Sequence, residues 1–516
     1  MIAVKNFFSS HETAIRIIFL ILIFFLFAYR PVNDPDFGWH LAAGNIEIAS
    51  GAIPKLDLFS WTMPEYQWVN HEYLADAFYF ALYRLGHGTL ILLLLYVAVG
   101  FLIFVVLLPR LCGNPDWEDR MLIALSALFV SRPFFGVRTQ VLGWLGFLLV
   151  WFLWERYLAT REKKWLWFLL PLFLLWANVH ASFPIGFVLL GLLMFFDVAD
   201  SFPGASQASY ASLRLWFARE KEKICFFALI GVASLAATFI NPFGYHLHLD
   251  LIRTIQSPLM KSFIAEWVPA AINAKNAAVF YAYLFSFFLI IFHKIGIDKK
   301  ENFSFRDTVL FLLFLGAALS SQRLIPFFVL VSLPMLYKKI SSNKLMVPAL
   351  AFVLAGAMIF PNIALNRNKT EIKNPDDVIY ETPRGTIDLP QWGNQKYFSA
   401  DVPAEAFGYT KTHLLPDRVF NDYNWGGAMI WELPNVKTFI DGRMPYWEMN
   451  GKNIFRDYII IESARPGWHE KIQEYGINWF LVRPNSAIAA ALLLEPQEWE
   501  KRFEDAGSII FVKNGM

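Results

Sequence analysis

Charge is scarce in this chain and cysteine scarcer: 17% of the 516 residues are charged, and 2 are cysteines. Cys112 and Cys225 lie too far apart in sequence to form a metal or redox motif, and they imply no disulfide framework. A formal net charge of +2 leaves no basic excess for nucleic acid. No small-residue cleavage site follows the first apolar run, residues 13–29. A charged loop follows instead, so the run reads as a retained span and not as a cleaved signal peptide. What fills the chain is apolar and aromatic, with 56% hydrophobic residues and 51 phenylalanines. That balance excludes an ordinary soluble protein and describes a polytopic membrane protein.

A membrane-crossing helix needs about 20 apolar residues. After residues 13–29, runs that approach this length occur at 88–108, 120–135, 139–157, 165–180, 183–199, 223–240, 277–293, 307–321, 324–337 and 345–360. The expectation is therefore about eleven transmembrane helices. Basic residues collect in alternate loops: Arg110; Arg156, Arg161, Lys163 and Lys164; Arg214, Arg219, Lys221 and Lys223; Lys294, Lys299, Lys300 and Arg306; Lys338, Lys339 and Lys344. By the positive-inside rule those loops and the N-terminus are cytoplasmic, and an odd number of spans leaves the C-terminal segment outside.

This orientation places residues 31–87 in a long first outside loop, headed by Asn33-Asp34-Pro35-Asp36-Phe37-Gly38-Trp39-His40. Carboxylates and an imidazole beside hydrocarbon are costly, and their default reading is a functional site at a polar cavity. Within the loop, residues 37–49 predict a helix ending near Gly51, and Asn70 predicts a cap for a second, apolar helix over 71–85. Both read as helices lying in the membrane interface.

The other outside segments hold the remaining unusual polar residues. Arg132 and Arg138 flank one short loop, His180 sits in another, Arg253 lies in the loop 241–275, and Arg323 joins two late spans. A guanidinium suits phosphate through its fork of donors, although snorkelling or a helix-end role fits any single one equally. On the side of the membrane that disfavours basic residues, the four together favour an anionic ligand. From residue 361 the apolar runs shorten, and 361–516 are enough for one soluble domain. Strands are expected near 418–421, 438–441, 479–482 and 508–512, with helices near 404–413, 452–463, 467–475, 487–494 and 498–503, which makes an α/β domain. Gly426-Gly427 permits a tight turn and close backbone approach, and Asp441 beside Arg443 reads as a surface ion pair or a polar contact to a sugar.

An acidic D-x-D-like motif just after the first span, then interfacial helices, many spans and an outside C-terminal domain, resembles the GT-C superfamily of membrane glycosyltransferases. Asp34-Pro35-Asp36-Phe37-Gly38-Trp39-His40-Leu41 with Gly44, Trp68-Val69-Asn70-His71-Glu72 and the clusters 422–427 and 441–443 are similar to a group of GT-C-like bacterial membrane proteins. The Trp-Trp-Asp acceptor motif of oligosaccharyltransferases is absent, and Pro35 splits an acidic pair that is adjacent in protein mannosyltransferases. The resemblance implies a polytopic GT-C-like domain over 1–360 and an extracytoplasmic α/β domain over 361–516, in a bacterial inner membrane. It implies transfer of a sugar from a polyprenyl-phosphate carrier to an acceptor hydroxyl, the acceptor being a lipid, glycan or protein.

On that resemblance Asp36 is the general base, with Asp34 as the alternative base or a positioning group. Arg138 and Arg323 are the first choices for the leaving phosphate, followed by Arg132 and Arg253. Glu72 and His71 close the acceptor side, His180 contacts the sugar or orients a carboxylate, and His40 is a further substrate-binding residue. Asp34 and Asp36 with a histidine are also possible ligands of a divalent metal ion, a feature that varies within the superfamily. The competing readings are a lipid or glycolipid carrier that uses the same cavity without chemistry, and a membrane-anchored assembly protein.

Overall fold

The computed structural model describes residues 18, 21–26, 28–29, 32, 34–85, 88–113, 115–202, 209–270, 274–297, 304–340 and 402–516. The expected span at 345–360 and most of the one at 13–29 lie outside the described residues. In chain order the helices are α1 (Phe37–Ser50), α2 (Tyr73–Leu85), α3 (Leu90–Leu111), α4 (Trp117–Ser131), α5 (Thr139–Thr160), α6 (Leu169–Ala177), α7 (Phe183–Ala199), α8 (Tyr210–Ala237), α9 (His246–Gln256), α10 (Ala274–Ile297), α11 (Phe305–Ser320) and α12 (Ile325–Ile340). The C-terminal part adds α13 (Ala404–Thr412), β1 (Val419–Asn421), α14 (Gly426–Glu432), β2 (Glu448–Met449), β3 (Lys452–Asn453), α15 (Ile454–Glu462), α16 (Trp468–Tyr475), β4 (Trp479–Val482), α17 (Ala487–Leu493), β5 (Trp499–Glu504) and β6 (Ile509–Lys513). The protein is mostly helical with a strand-containing C-terminal part. Two of the described helices, α3 and α5, are long and apolar enough to cross a membrane.

The chain forms two compact units. One comprises residues 1–29, 100–135 and 265–397. In it α12 packs on α4, α10 and α11. Tyr283 and Ser332 share a buried hydrogen bond of 2.8 Å, and the Tyr337 hydroxyl donates to Asp119 at 2.6 Å.

The other unit comprises residues 30–99, 136–264 and 398–516, so it joins the first loop to the C-terminal part. Its sheet has the order β1-β4-β6-β5, with β1 and β4 parallel and the rest antiparallel. Successive strand residues point to opposite faces. Phe420, Phe480, Val482, Ile509 and Phe511 therefore enter one core, and Val419, Trp479, Leu481, Ile510 and Val512 the other. The first of these cores also takes in Trp39, Ala43, Met63 and Trp68 of the first loop.

Two expectations are corrected in this sheet domain. Residues 498–503 form the edge strand β5 and not a helix, because Trp499 is buried while the charged residues after it stay exposed along an edge that they protect from further pairing. Residues 438–441 do not join the sheet. The Asn421 side chain serves as their strand partner, with Oδ1 accepting from the Phe439 N–H at 2.8 Å and Nδ2 donating to the Ile440 carbonyl at 2.9 Å.

Arg443 and Asp441 are neither a surface pair nor open to a sugar. Arg443 forks onto Asp441 at 2.7 and 2.8 Å and onto Asp57 at 2.8 Å, under the rings of Phe59, Trp68 and Trp447. The two carboxylates are almost wholly buried.

Candidate active site

Loop one builds the site from two short helices. Asp34 closes the turn that starts α1: its carbonyl accepts from the Phe37 N–H at 3.1 Å and its Oδ1 from the Asp36 N–H at 3.2 Å. His40 follows Asp36 by one helical turn, and Glu47 follows His40 by two, which puts both on one face of α1. At the front of α2, Asn70 Oδ1 accepts from the Glu72 N–H at 3.2 Å, as a residue favoured before a helix does, and Asp76 sits in the first turn. Glycines bring the C-terminal part against this loop. A Cβ at Gly38 would meet the backbone of Gly427, one at Gly427 would meet the Pro35 carbonyl, and one at Gly442 would collide with the Asp36 carboxylate. The close approach expected of Gly427 is thus present.

The side chains form a connected polar network. His40 Nδ1 lies 2.5 Å from Asp76 Oδ1. Asn70 Nδ2 donates to both Asp76 Oδ2, at 2.8 Å, and Glu47 Oε1, at 3.1 Å. The opposite ring nitrogen of His40, Nε2, is 3.6 Å from Glu72 Oε2. Glu72 Oε1 accepts from the Thr139 hydroxyl at 2.8 Å, with His180 Nε2 at 3.5 Å and His71 Nε2 at 3.9 Å. The Ser182 N–H donates to His180 Nδ1 at 3.1 Å, which leaves the ring proton of a neutral His180 on Nε2, toward Glu72. At the head of the loop, Arg138 Nε donates to Asp34 Oδ2 at 3.2 Å. Asp34, His40, Glu47, Asn70, Glu72, Asp76 and His180 are all buried, whereas Asp36 keeps part of its surface.

These surroundings pull the carboxylates in opposite directions. Burial and the neighbouring Asp34 charge push Asp36 up to about 7. Burial also acts on Glu72, but His71, His40 and His180 outweigh it and, with the Thr139 hydroxyl, hold Glu72 down at about 2. Burial disfavours a charged His40, yet the Asp76 carboxylate, with Glu72 and Asp34 behind it, raises the imidazole to about 9. Burial and the Asp76 charge raise Glu47 to about 9, so that Glu47 is protonated at neutral pH.

Of the residues singled out in the sequence, Asp34, Arg138, His40, His71, Glu72 and His180 are brought together in this network, and Asp36 stands at its open end. Arg253 lies on α9 of the same unit, where its neighbour Asp250 accepts from the Tyr446 hydroxyl at 2.9 Å. Arg132 and Arg323 belong to the other unit; the Arg323 guanidinium lies 5.6 Å from the Trp267 ring, and its main-chain N–H donates to Glu266.

Sequence reasoning missed Asp76, Glu47 and Thr139, and gave Asn70 only a capping role. The signals were present: Asp76 is the one carboxylate in the apolar stretch Tyr73–Leu85, and Glu47 stands seven residues after His40. Asp34 and Asp36 do not fit a metal site here. Asp34 is committed to Arg138, and among the described residues no group of three or more His, Cys, Asp or Glu is arranged to hold an ion.

A crystal structure of the Archaeoglobus fulgidus oligosaccharyltransferase in its apo form is similar to this chain over 97% of it and 74% of that protein, at 11% identity and a TM-score of 0.50. The chain shares the fold of that protein. The Archaeoglobus fulgidus AglB enzyme in complex with an inhibitory peptide and a dolichol-phosphate is similar over 98% of this chain and 75% of that one, at 12% identity and a TM-score of 0.49. No protein-family model and no curated protein matches the sequence. The likeness lies in the fold and not in the residues, so the chemistry has to be argued from the network itself.

Proposed function

We propose that the protein is a membrane glycosyltransferase that moves a sugar from a polyprenyl-phosphate carrier to an acceptor hydroxyl on the extracytoplasmic face. In this reading the chain crosses a bacterial inner membrane about eleven times. Residues 1–360 form the membrane domain and 361–516 an extracytoplasmic α/β domain.

The observation that carries the reading is Asp36: a partly buried carboxylate raised to about 7, at the head of the first loop of this fold, beside a second aspartate that is paired with Arg138. A general base works best with a proton affinity near the operating pH. The acceptor O–H gives its proton to Asp36 as its oxygen bonds to the anomeric carbon. The bond from that carbon to the lipid phosphate breaks, and the phosphate leaves with the electron pair. Arg138 is the cation of this unit for the leaving phosphate, with Arg253 as a further candidate. Glu72, permanently ionised, and His71 bind acceptor hydroxyls, and His180 and His40 contact the sugar. No step calls for a metal ion.

The test compares native protein with Asp36→Asn in nanodiscs containing polyprenyl-phosphate sugars. Native protein transfers or slowly hydrolyses the sugar, with turnover rising as pH rises through about 7 and Asp36 loses its proton; Asp36→Asn binds the donor and loses turnover. If the native protein binds no lipid-phosphate sugar, the reading fails and a carrier without transfer chemistry becomes the better one.

A further inference from the structure

The Asp76–Asn70–Glu47 side of the network has no part in the steps above, yet it is its most deeply buried polar cluster. Asp76 has no exposed surface and Asn70 has 1%. Each Asp76 oxygen has its own partner, Oδ1 with His40 Nδ1 at 2.5 Å and Oδ2 with Asn70 Nδ2 at 2.8 Å. A carboxylate is an acceptor, so it fixes a proton on His40 Nδ1 and sets the plane of the ring. Nε2 is then the only atom through which His40 can reach a ligand, and it faces Glu72 at 3.6 Å.

Three imidazole Nε2 atoms surround the Glu72 carboxylate at 3.5 to 3.9 Å. All three are too far for a direct hydrogen bond and close enough to share a hydroxyl placed between them. The ring of a sugar presents hydroxyls at this spacing, each able to donate to Glu72 and accept from an imidazole N–H.

We infer that Asp76 is a positioning residue: it keeps His40 as an imidazolium with Nε2–H aimed at Glu72, so that His40 and Glu72 together clasp a hydroxyl of a saccharide ring. This inference rests on the transferase reading for the identity of the ring, but the state of His40 can be measured without it. Above its ordinary range a lone histidine is neutral and its Nε2 is only an acceptor once Nδ1 holds the proton; the pair with Asp76 is what makes Nε2 a donor at neutral pH. Glu72, Asp34, Asp36 and Glu47 are the other titratable groups that face His40, and Tyr79 packs on its ring at 5.8 Å.

The experiment is a pH titration of protein labelled with 13C at histidine Cε1, in nanodiscs, with His40→Gln assigning the signal. It is paired with the pH profile of sugar turnover in native protein, Asp76→Asn and Asp76→Glu. In native protein the His40 signal should remain that of an imidazolium through pH 8. In Asp76→Asn it should titrate at or below the ordinary imidazole range, and the alkaline fall of turnover should move down with it, whereas Asp76→Glu should restore part of both. A native His40 that titrates as an ordinary histidine overturns the inference, whether or not any sugar is transferred. So does an Asp76→Asn protein whose His40 titration is unchanged, or whose turnover falls by the same factor at every pH. Should Asp76→Asn not fold, the native titration and Asp76→Glu decide alone. Loss of transfer in native protein with the His40 titration intact would count against the transferase and leave the positioning role standing.

Discussion

Gly442→Ala is the sharpest probe of the proposed base, because the added atom falls on Asp36 and on little else. A Cβ at Gly442 has its three nearest heavy atoms in the Asp36 carboxylate, with Cγ at 2.8 Å, Oδ2 at 3.2 Å and Oδ1 closer than either. Non-bonded contacts settle at about 3.5–4.0 Å, so the nearest carboxylate oxygen must retreat by roughly 2 Å or the Gly442 turn must shift by as much. Overpacking of this size costs about 1–3 kcal/mol of stability. A reacting group displaced by about 1 Å loses on the order of a hundredfold in rate. Turnover of the lipid-phosphate sugar should therefore fall at least about a hundredfold. Donor binding should hold, since Arg138 and Asp34 are untouched. Turnover and donor binding are measured on the same nanodisc preparation, with an unfolding temperature to show that the protein remains folded. Native turnover in a folded Gly442→Ala protein would mean that Asp36 is not held at the reacting centre by this contact, and the base assignment would lose its geometric support.

Arg443→Ala leaves Asp57 and Asp441 buried without their cation, a change that costs about 3–5 kcal/mol, and it should appear as a large drop in the unfolding temperature in detergent. Arg443→Lys should recover only part of the loss, because an ammonium cannot fork to both carboxylates. Glu47 offers a test of the network by pH. In the folded protein it keeps its proton up to about 9, against an ordinary value of 4.5, so between those values the folded state binds more protons than the unfolded chain and stability falls as pH rises. Glu47→Gln, which can still accept from Asn70, should flatten the unfolding temperature measured from pH 5 to 9; an unchanged slope would show that Glu47 ionises freely.

Helix positions were legible because apolar length and caps are local properties. The expected runs at 139–157, 183–199 and 307–321 match α5, α7 and α11 closely, and the helix read over 37–49 is α1. Strands β1, β4 and β6 were legible from their β-branched and aromatic content. Residues 498–503 were not, since Glu-Trp-Glu-Lys-Arg-Phe favours a helix locally and only the pairing with β6 makes it a strand. The same limit governed the site. Asp34, Asp36, His40 and Glu72 stood out because each is polar at the edge of an apolar stretch. Asp76 and Glu47 did not, because their importance comes from one amide, Asn70, that joins two helices. Asp441 and Arg443 were misread for a related reason: their partner Asp57 is 386 residues away from Arg443 in sequence, and nothing local shows that three rings will cover them.

These long-range contacts bear on what positions the base. Asp36 is set on one side by the turn that Asp34 closes, and on the other by Gly442 and by Gly427 beneath Pro35. The turn is local, but the glycines arrive with the C-terminal part. The same surface is held by the Thr62 hydroxyl donating to the Phe439 carbonyl at 2.7 Å, by Trp61 Nε1 donating to the Val419 carbonyl at 3.0 Å, and by the Arg443–Asp57 pair. Trp39, Met63 and Trp68 have their burial in the core shared with Phe439, Met444 and Trp447. Without residues 402–516 that apolar surface would face solvent, Asp57 would lose its cation, and no atom would define the open side of Asp36. Loop one carries the proposed base, and the C-terminal part supplies the half of its geometry that a loop of this length has no means to hold alone.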